Sequence, residues 1–190
     1  RRGDMIANGF TVLPWRLKVV SFSDPTFPSQ IWLLAHADSS VRPIKPSGNI
    51  RRDIDMTRAL MKGRTVLTIE KTCLDPELYD LQAAGATVVR FPGQLNELAP
   101  AVLNRDAEMS ILDVPDALIA LEKWPGKLKI IGPVSEKQVM AAAFPRDAPK
   151  LLAAYNEFLK KVRKDGTYRK LVRKYYPSAP YFFPAFFCGK

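Results

Sequence analysis

Residues 65–91 read TVLTIEKTCLDPELYDLQAAGATVVRF, and this stretch decides the fold class. It opens and closes with short apolar runs of strand length. Between them, Asp75 followed by Pro76 predicts a helix start, because an aspartate side chain caps free N–H groups and proline suits the first helical turn. Gly85 predicts the end of that helix. The order of strand, helix and strand is that of a βαβ unit, so the stretch predicts an α/β fold.

The same alternation continues on both sides of this stretch. Short apolar runs are predicted as strands, and stretches with one apolar face are predicted as helices. The predicted strands are Ile31–Ala35, Thr65–Ile69, Thr87–Phe91, Glu108–Leu112, Leu128–Ile131 and Gln138–Phe144. The other predicted helices are Asp53–Lys62, Leu95–Leu103, Asp116–Lys123, one capped by Asp147, and Thr167–Tyr176. We therefore predict a central sheet covered by helices.

Composition limits the classes of function. The chain has 190 residues, of which 47% are hydrophobic and 25% charged, as in an ordinary globular protein. We find no apolar run long enough to span a membrane and no secretory signal, so we expect a protein that does not span the bilayer. The net charge of +10 favours anionic ligands, acidic proteins, membrane surfaces or nucleic acid as partners.

Cysteine and histidine are too few for metal chemistry. The chain contains two cysteines, Cys73 and Cys188, and one histidine, His36. This set has no metal-ligand spacing, so we expect neither a metal nor another cofactor. The two cysteines fit one disulfide in an oxidising compartment about as well as two thiols. For His36, which lies in an apolar run without a nucleophile motif, we favour a structural role over a hydrolytic one.

A second stretch carries a family pattern. Residues 8–24 read NGFTVLPWRLKVVSFSD, with Gly9, Thr11 and Arg16 in fixed register before Phe-Ser-Asp. This resembles the type II periplasmic solute-binding proteins, the family 3 extracellular solute-binding proteins of amino-acid ABC transporters. The strand that ends in an aspartate with a nearby proline, and Asp-Gly-Thr-Tyr at 165–168, resemble further family motifs in the same order.

The resemblance implies a type II periplasmic-binding-protein fold that lacks most of its first lobe. We expect one complete lobe with a central mixed sheet, together with hinge strands and residual first-lobe helices. The expected parts are residues 1–30 as the end of the first lobe and the first hinge crossing, 31–142 as the second lobe, 143–176 as the return crossing and C-terminal helices, and 177–190 as an aromatic tail.

The resemblance also implies site residues. A pocket for a free amino acid needs an arginine fork, a few donors and an acidic group. Arg16 would clamp the ligand carboxylate. Gly9 and Thr11 would belong to the same ligand-binding segment as Arg16, and the Thr11 hydroxyl would donate a hydrogen bond to the ligand. Thr72, predicted to precede a helix, would offer its N–H to an anion, and Asp113 would accept the ammonium. Other interpretations are a solvated surface charge for Arg16 and a helix cap for Asp113.

The function implied is that of a periplasmic binding protein without enzymatic activity. It would capture a small anionic or zwitterionic solute, amino-acid-like, by hinge closure and deliver it to a membrane permease. The alternative is a periplasmic accessory protein of this fold that binds a protein partner, as in methanol dehydrogenase systems. The turn Glu70–Cys73, which replaces the family's Gly-rich turn, the basic charge and the aromatic tail favour this alternative.

A basic run raises a third possibility, a nucleic-acid-binding domain. Residues 160–174 contain eight basic side chains and one acidic one. Apolar residues interleave with them at helical spacing. We therefore interpret the run as two amphipathic helices with solvated basic faces, and we regard nucleic acid as the less favoured partner.

Overall fold

The computed structural model describes residues 3–188 and divides the chain into two compact units. One unit is Gln30–Lys137, and the other combines the residues up to Ser29 with those from Gln138 onward. The strands are β1 (Ser21–Phe22), β2 (Phe27–Ser29), β3 (Ile31–His36), β4 (Thr65–Thr68), β5 (Thr87–Arg90), β6 (Met109–Asp113), β7 (Leu128–Pro133), β8 (Gln138–Met140) and β9 (Ala143–Phe144). The helices are α1 (Ile50–Ala59), α2 (Leu98–Leu103), α3 (Val114–Lys123), α4 (Pro149–Lys164), α5 (Thr167–Tyr175), α6 (Ala179–Phe182) and α7 (Pro184–Cys188).

The unit Gln30–Lys137 is built on a five-stranded mixed sheet in the order β5-β4-β6-β3-β7. Strand β4 is parallel to β5 and β6, whereas β3 is antiparallel to β6 and β7. The inner strands read as continuous apolar runs because both faces of the sheet are covered, and Ile31, Leu33 and Leu34 are fully buried in β3. The predicted α/β class and mixed sheet are confirmed.

Helix α1 packs closely on this sheet. Its N-terminus is capped by Asn49, whose side chain accepts from the N–H groups of Arg51 and Arg52. The close approach depends on Gly132 in β7, where a Cβ atom would lie 2.2 Å from Oγ1 of Thr57. Only glycine leaves room for the helix at this point of the strand.

The second unit joins both ends of the chain through short antiparallel pairs. Strand β1 pairs with β9, and β2 pairs with β8. Helices α4 and α5 carry the basic run on exposed faces, as the helical spacing predicts. The hydroxyl of Tyr168 donates to the carbonyl of Thr26 at 2.6 Å.

The aromatic C-terminal segment packs on this unit. The ring of Phe187 lies 5.5 Å from that of Phe27 and 6.4 Å from that of Tyr168, and the side chain of Phe183 is buried. These contacts explain why a segment so rich in aromatic residues is helical and not a solvated linker.

One predicted helix is shorter than expected, and one predicted helix start is wrong. Asp75 does cap a helical turn, because its Oδ1 accepts from the N–H of Glu77 at 3.1 Å, but only the 3-10 turn Pro76–Tyr79 follows. Asp80 then takes a left-handed conformation with φ of 49°, which ends the turn. Asp147 is not the cap of α4. That helix starts at Pro149 after Ala148, and a proline in the first turn has no N–H that needs a cap.

Candidate functional site

The segment around Gly9 and Thr11 runs beside the end of β8. The N–H of Val12 donates to the carbonyl of Val139 at 2.9 Å, and Thr11 forms an antiparallel bridge with Met140. Gly9 has a φ of +76°, and a Cβ atom there would lie 3.3 Å from the sulfur of Met140. The glycine therefore supplies a left-handed bend that places Thr11 against the strand.

Arg16 is held in a fixed orientation within the unit formed by the two chain ends. Arg16 is only 6% exposed, and its Nη1 donates to the carbonyl of Thr11 at 2.8 Å. The guanidinium carbon lies 3.9 Å from the centre of the Phe10 ring and 5.0 Å from that of Trp15. Aromatic faces attract a guanidinium and keep it planar against them. Arg16 is therefore not a solvated surface charge.

The Thr11 hydroxyl is the unusual group of this segment. Thr11 is 1% exposed, and its Oγ1 has no hydrogen-bond partner among the residues that the structure describes. A buried hydroxyl without a partner costs about 1–3 kcal/mol, so such groups are rare and need an explanation. An acceptor oxygen from a bound molecule would satisfy it. The carbonyl of the same residue already orients Arg16, so donor and cation belong to one small cluster.

Thr72 lies in the unit Gln30–Lys137, in the turn after β4. Its hydroxyl donates to the carbonyl of Ile69 at 2.7 Å and accepts from the N–H of Leu74 at 3.0 Å. Lys71, within the turn Glu70–Cys73, has a φ of 60°, a conformation that suits glycine. The predicted helix dipole beside Thr72 is wrong, because only a single 3-10 turn follows.

Asp113 ends β6 and caps α3. Its Oδ1 accepts from the N–H of Asp116 at 3.3 Å, so the helix-cap interpretation is confirmed. The thiol of Cys73 lies 3.8 Å from its Oδ2. The pKa of Asp113 is raised to about 8, chiefly by burial and, to a smaller extent, by the nearby charge of Asp116. The carboxyl therefore keeps its proton at neutral pH, and a cation placed beside it would favour the ionised form.

Three groups near the predicted residues were missed by sequence reasoning. Phe10 supplies the ring under Arg16, and it stands between two positions of the family pattern. Asp116 follows Asp113 at the three-residue spacing of a helix N-terminal cap, which is a readable signal. Cys73 reaches Asp113 only through the packing of two separate turns, and no local pattern indicates this contact.

The remaining predicted groups have structural surroundings. His36 ends β3, where its Nδ1 lies 2.5 Å from Oδ1 of Asp38. The carbonyl of Cys73 accepts from the hydroxyl of Tyr79 at 2.6 Å. The side chain of Cys188 lies outside the described part of the chain, so the disulfide stays a prediction. Within the described part, no three metal-ligating side chains cluster, and no helix has the length and apolar composition to cross a membrane.

Comparison with known proteins agrees with this fold. Residues 1–178 match the family described as bacterial extracellular solute-binding proteins, family 3. The chain belongs to this family. Among solved structures, it is similar to a mutant of ArgBP from T. maritima, with 26% identity and a TM-score of 0.75 over 92% of this chain and 69% of that one. An ancestral arginine-binding protein bound to arginine has 22% identity, a TM-score of 0.73 and coverage of 91% and 71%, and it shows the fold alone.

A relative of another kind is also similar. The chain is 26% identical over 184 residues to the membrane-bound lytic murein transglycosylase F of Desulfosudis oleivorans. The match covers 95% of this chain but only 37% of that relative, so the chain spans little more than a third of its length.

Proposed function

We propose that this family member binds a free amino acid through its α-carboxylate, with Arg16 and Thr11 as the binding groups. The observation that carries the proposal is the buried, unpartnered hydroxyl of Thr11 beside an oriented guanidinium. A carboxylate has two oxygens, so one can accept from Arg16 while the other accepts from Thr11. Solute binding is the function of the family, and arginine-bound relatives have the same fold.

The surroundings of Arg16 support recognition of a carboxylate. The ring of Phe10 covers one face of the guanidinium, and the hydrogen bond to the carbonyl of Thr11 fixes its rotation. An oriented guanidinium loses little entropy on binding and presents its N–H groups along its edge. Gly9 contributes the bend that holds the segment in place.

In the unit Gln30–Lys137, we propose that Asp113 accepts a ligand ammonium group and that the N–H of Thr72 donates to the ligand. Support for Asp113 comes from its burial and its raised pKa. An ammonium group beside it would favour loss of the proton and would pair with the carboxylate that forms. Support for Thr72 is weaker, because its hydroxyl is already engaged within its own turn.

We further propose a periplasmic location and delivery of the solute to the permease of an ABC transporter. The family is extracellular by description, which supports export from the cytoplasm. This role needs binding and release only, and it requires no catalytic group.

The proposal is tested by calorimetry with the common amino acids on the wild type and on Arg16→Lys, Arg16→Ala and Thr11→Val. Hydrogen bonds to a charged group contribute about 1.5–3 kcal/mol each, so each change should weaken binding at least about tenfold. Arg16→Lys keeps the charge and removes the fork, and it separates geometry from charge. Lys18→Ala, exposed on the same 3-10 turn, is the matched control and should bind as the wild type does.

Two outcomes would contradict the proposal. One is an amino acid that binds the wild type and the Arg16 and Thr11 variants equally well. The other is the absence of saturable binding by every amino acid in a wild-type protein that unfolds cooperatively. Either result would leave the fold in place and remove these residues from the site.

A second candidate function follows from the similarity to the lytic murein transglycosylase. In that case the chain would bind murein-derived peptides, whose free carboxylates suit the same arginine, as a binding part of a larger protein. Titration with a murein peptide and with its free amino acids separates the two functions by affinity. The alternative of an accessory protein in a methanol dehydrogenase system has no support from the comparisons.

A further inference from the structure

A cavity lies in the unit formed by the chain ends. Its volume is about 670 Å³, and neither Thr11 nor Arg16 lines it. Cavities of roughly 300–1,000 Å³ are the size that small-molecule ligands occupy. Basic and aromatic side chains line it, among them Arg163, Arg169, Arg173, Tyr168, Phe186 and Phe187.

The charge of this cavity is of one sign. Among the residues that the structure describes, three arginines line it, Arg163, Arg169 and Arg173, and no acidic residue does. Within residues 3–188, none of the three forms an ion pair with a carboxylate. Three positive charges around one space raise the local concentration of anions.

One of these arginines is already positioned. The Nη2 of Arg163 donates to the carbonyl of Pro25, and its guanidinium carbon lies 5.3 Å from the centre of the Tyr168 ring and 5.8 Å from that of Phe186. The oriented guanidinium leaves N–H groups for an anion, as in bidentate binding of phosphate and carboxylate.

Aromatic side chains form the other wall. Phe186 and Phe187 meet edge to face at 5.1 Å, and Tyr168 stacks on Phe187 at 6.4 Å. Burial raises the pKa of Tyr168 to about 12, and its hydroxyl already donates to Thr26, so this ring is a neutral wall. A flat apolar group would bury its faces here.

We propose that this cavity binds a small organic anion that carries a phosphate or carboxylate on a planar aromatic body. The arginines bind the anionic group, and the rings of Tyr168, Phe186 and Phe187 contact the body. The site is independent of amino-acid binding and uses the C-terminal aromatic segment, which otherwise has no role in the proposed function.

The experiment is calorimetric titration of the full chain at low salt with phenyl phosphate, inorganic phosphate and benzyl alcohol. Phenyl phosphate should bind at least about tenfold more tightly than inorganic phosphate, because only it contacts both walls, and benzyl alcohol should not bind measurably. The double substitution Arg169→Gln with Arg173→Gln should weaken the binding of phenyl phosphate at least about tenfold.

The matched control is Lys170→Gln with Lys174→Gln, which removes the same charge from α5 at exposed positions outside the cavity. It should change the affinity less than about twofold. Equal weakening by both double substitutions would show binding to net charge only and would overturn the proposal, as would the absence of saturable binding. Arg16→Ala should leave the affinity for phenyl phosphate unchanged, so failure of the amino-acid site and failure of this one are distinguishable.

Discussion

Asp113→Asn should make the protein more stable above neutral pH. The folded-state pKa of Asp113 is raised from 3.8 to about 8, so the folded protein holds a proton that the unfolded chain releases across this window. Stability from this group is therefore fully present below pH 4 and is lost as the pH rises towards 8. Asparagine resembles the protonated acid in shape, keeps an oxygen to cap α3, and cannot ionise.

The size of the effect follows from the shift. Each pKa unit corresponds to about 1.4 kcal/mol, so a rise of about four units sets an upper bound of about 6 kcal/mol above pH 8. The wild type should lose up to about 1.4 kcal/mol of unfolding free energy per pH unit through this carboxyl. The variant should lack this slope and should equal the wild type near pH 4. Burial also raises the pKa of Asp116, and its hydrogen bond with Asp113 lowers it. Loss of the Asp113 carboxyl should therefore raise the pKa of Asp116 further, which makes the measured difference smaller than the bound.

The assay is urea unfolding at pH 4, 6, 8 and 9, followed by tryptophan fluorescence. Trp32 is buried in β3 of the same unit and reports on its unfolding. Asp55→Asn, at an exposed position of α1, is the control and should follow the wild-type pH profile. Parallel pH profiles for the wild type and Asp113→Asn would refute the raised pKa and, with it, the physical support for Asp113 as a ligand group.

Three further predictions concern the packing of α1, its N-terminal cap and the energetic cost of the buried Thr11 hydroxyl. Gly132→Ala places a methyl group 2.2 Å from Oγ1 of Thr57, so the unfolding free energy should fall by about 1–3 kcal/mol in urea, and an unchanged midpoint would contradict the packing of α1 on β7. Asn49→Ala removes the cap of α1 and should cost about 1 kcal/mol in the same assay, whereas Asn49→Asp should cost little. Thr11→Val removes an unpaired buried hydroxyl, so the ligand-free protein should gain about 1 kcal/mol while amino-acid affinity falls, and a loss of both would indicate a structural role for the hydroxyl.

The sequence predicted those features that depend on local patterns. The apolar runs of β3, β4 and β6 mark the strands of the sheet, because the side chains of a covered inner strand are apolar on both faces. Asp75 was predicted as a cap and is one. The length of the helix after it was not predictable, because it depends on the left-handed conformation of Asp80, which the sequence does not signal.

The candidate site was predictable only in its residue types. The family pattern located Arg16 and Thr11, but it did not indicate that Phe10 covers the guanidinium or that the Thr11 hydroxyl is buried without a partner. Both facts arise from the folded segment beside β8. The raised pKa of Asp113 likewise depends on burial, which no local pattern gives.

Recognition of the ligand carboxylate is tested most directly by changing the ligand. The common amino acids are first compared by how far each raises the melting temperature of the wild type. The one with the largest effect is then titrated by calorimetry, beside its carboxamide, in which a neutral amide replaces the carboxylate. If Arg16 and Thr11 bind the carboxylate, the amide should bind the wild type at least about a hundredfold more weakly than the amino acid does. In Arg16→Ala, most of this difference in affinity should be lost. An amide that binds as tightly as its amino acid would contradict the proposed site.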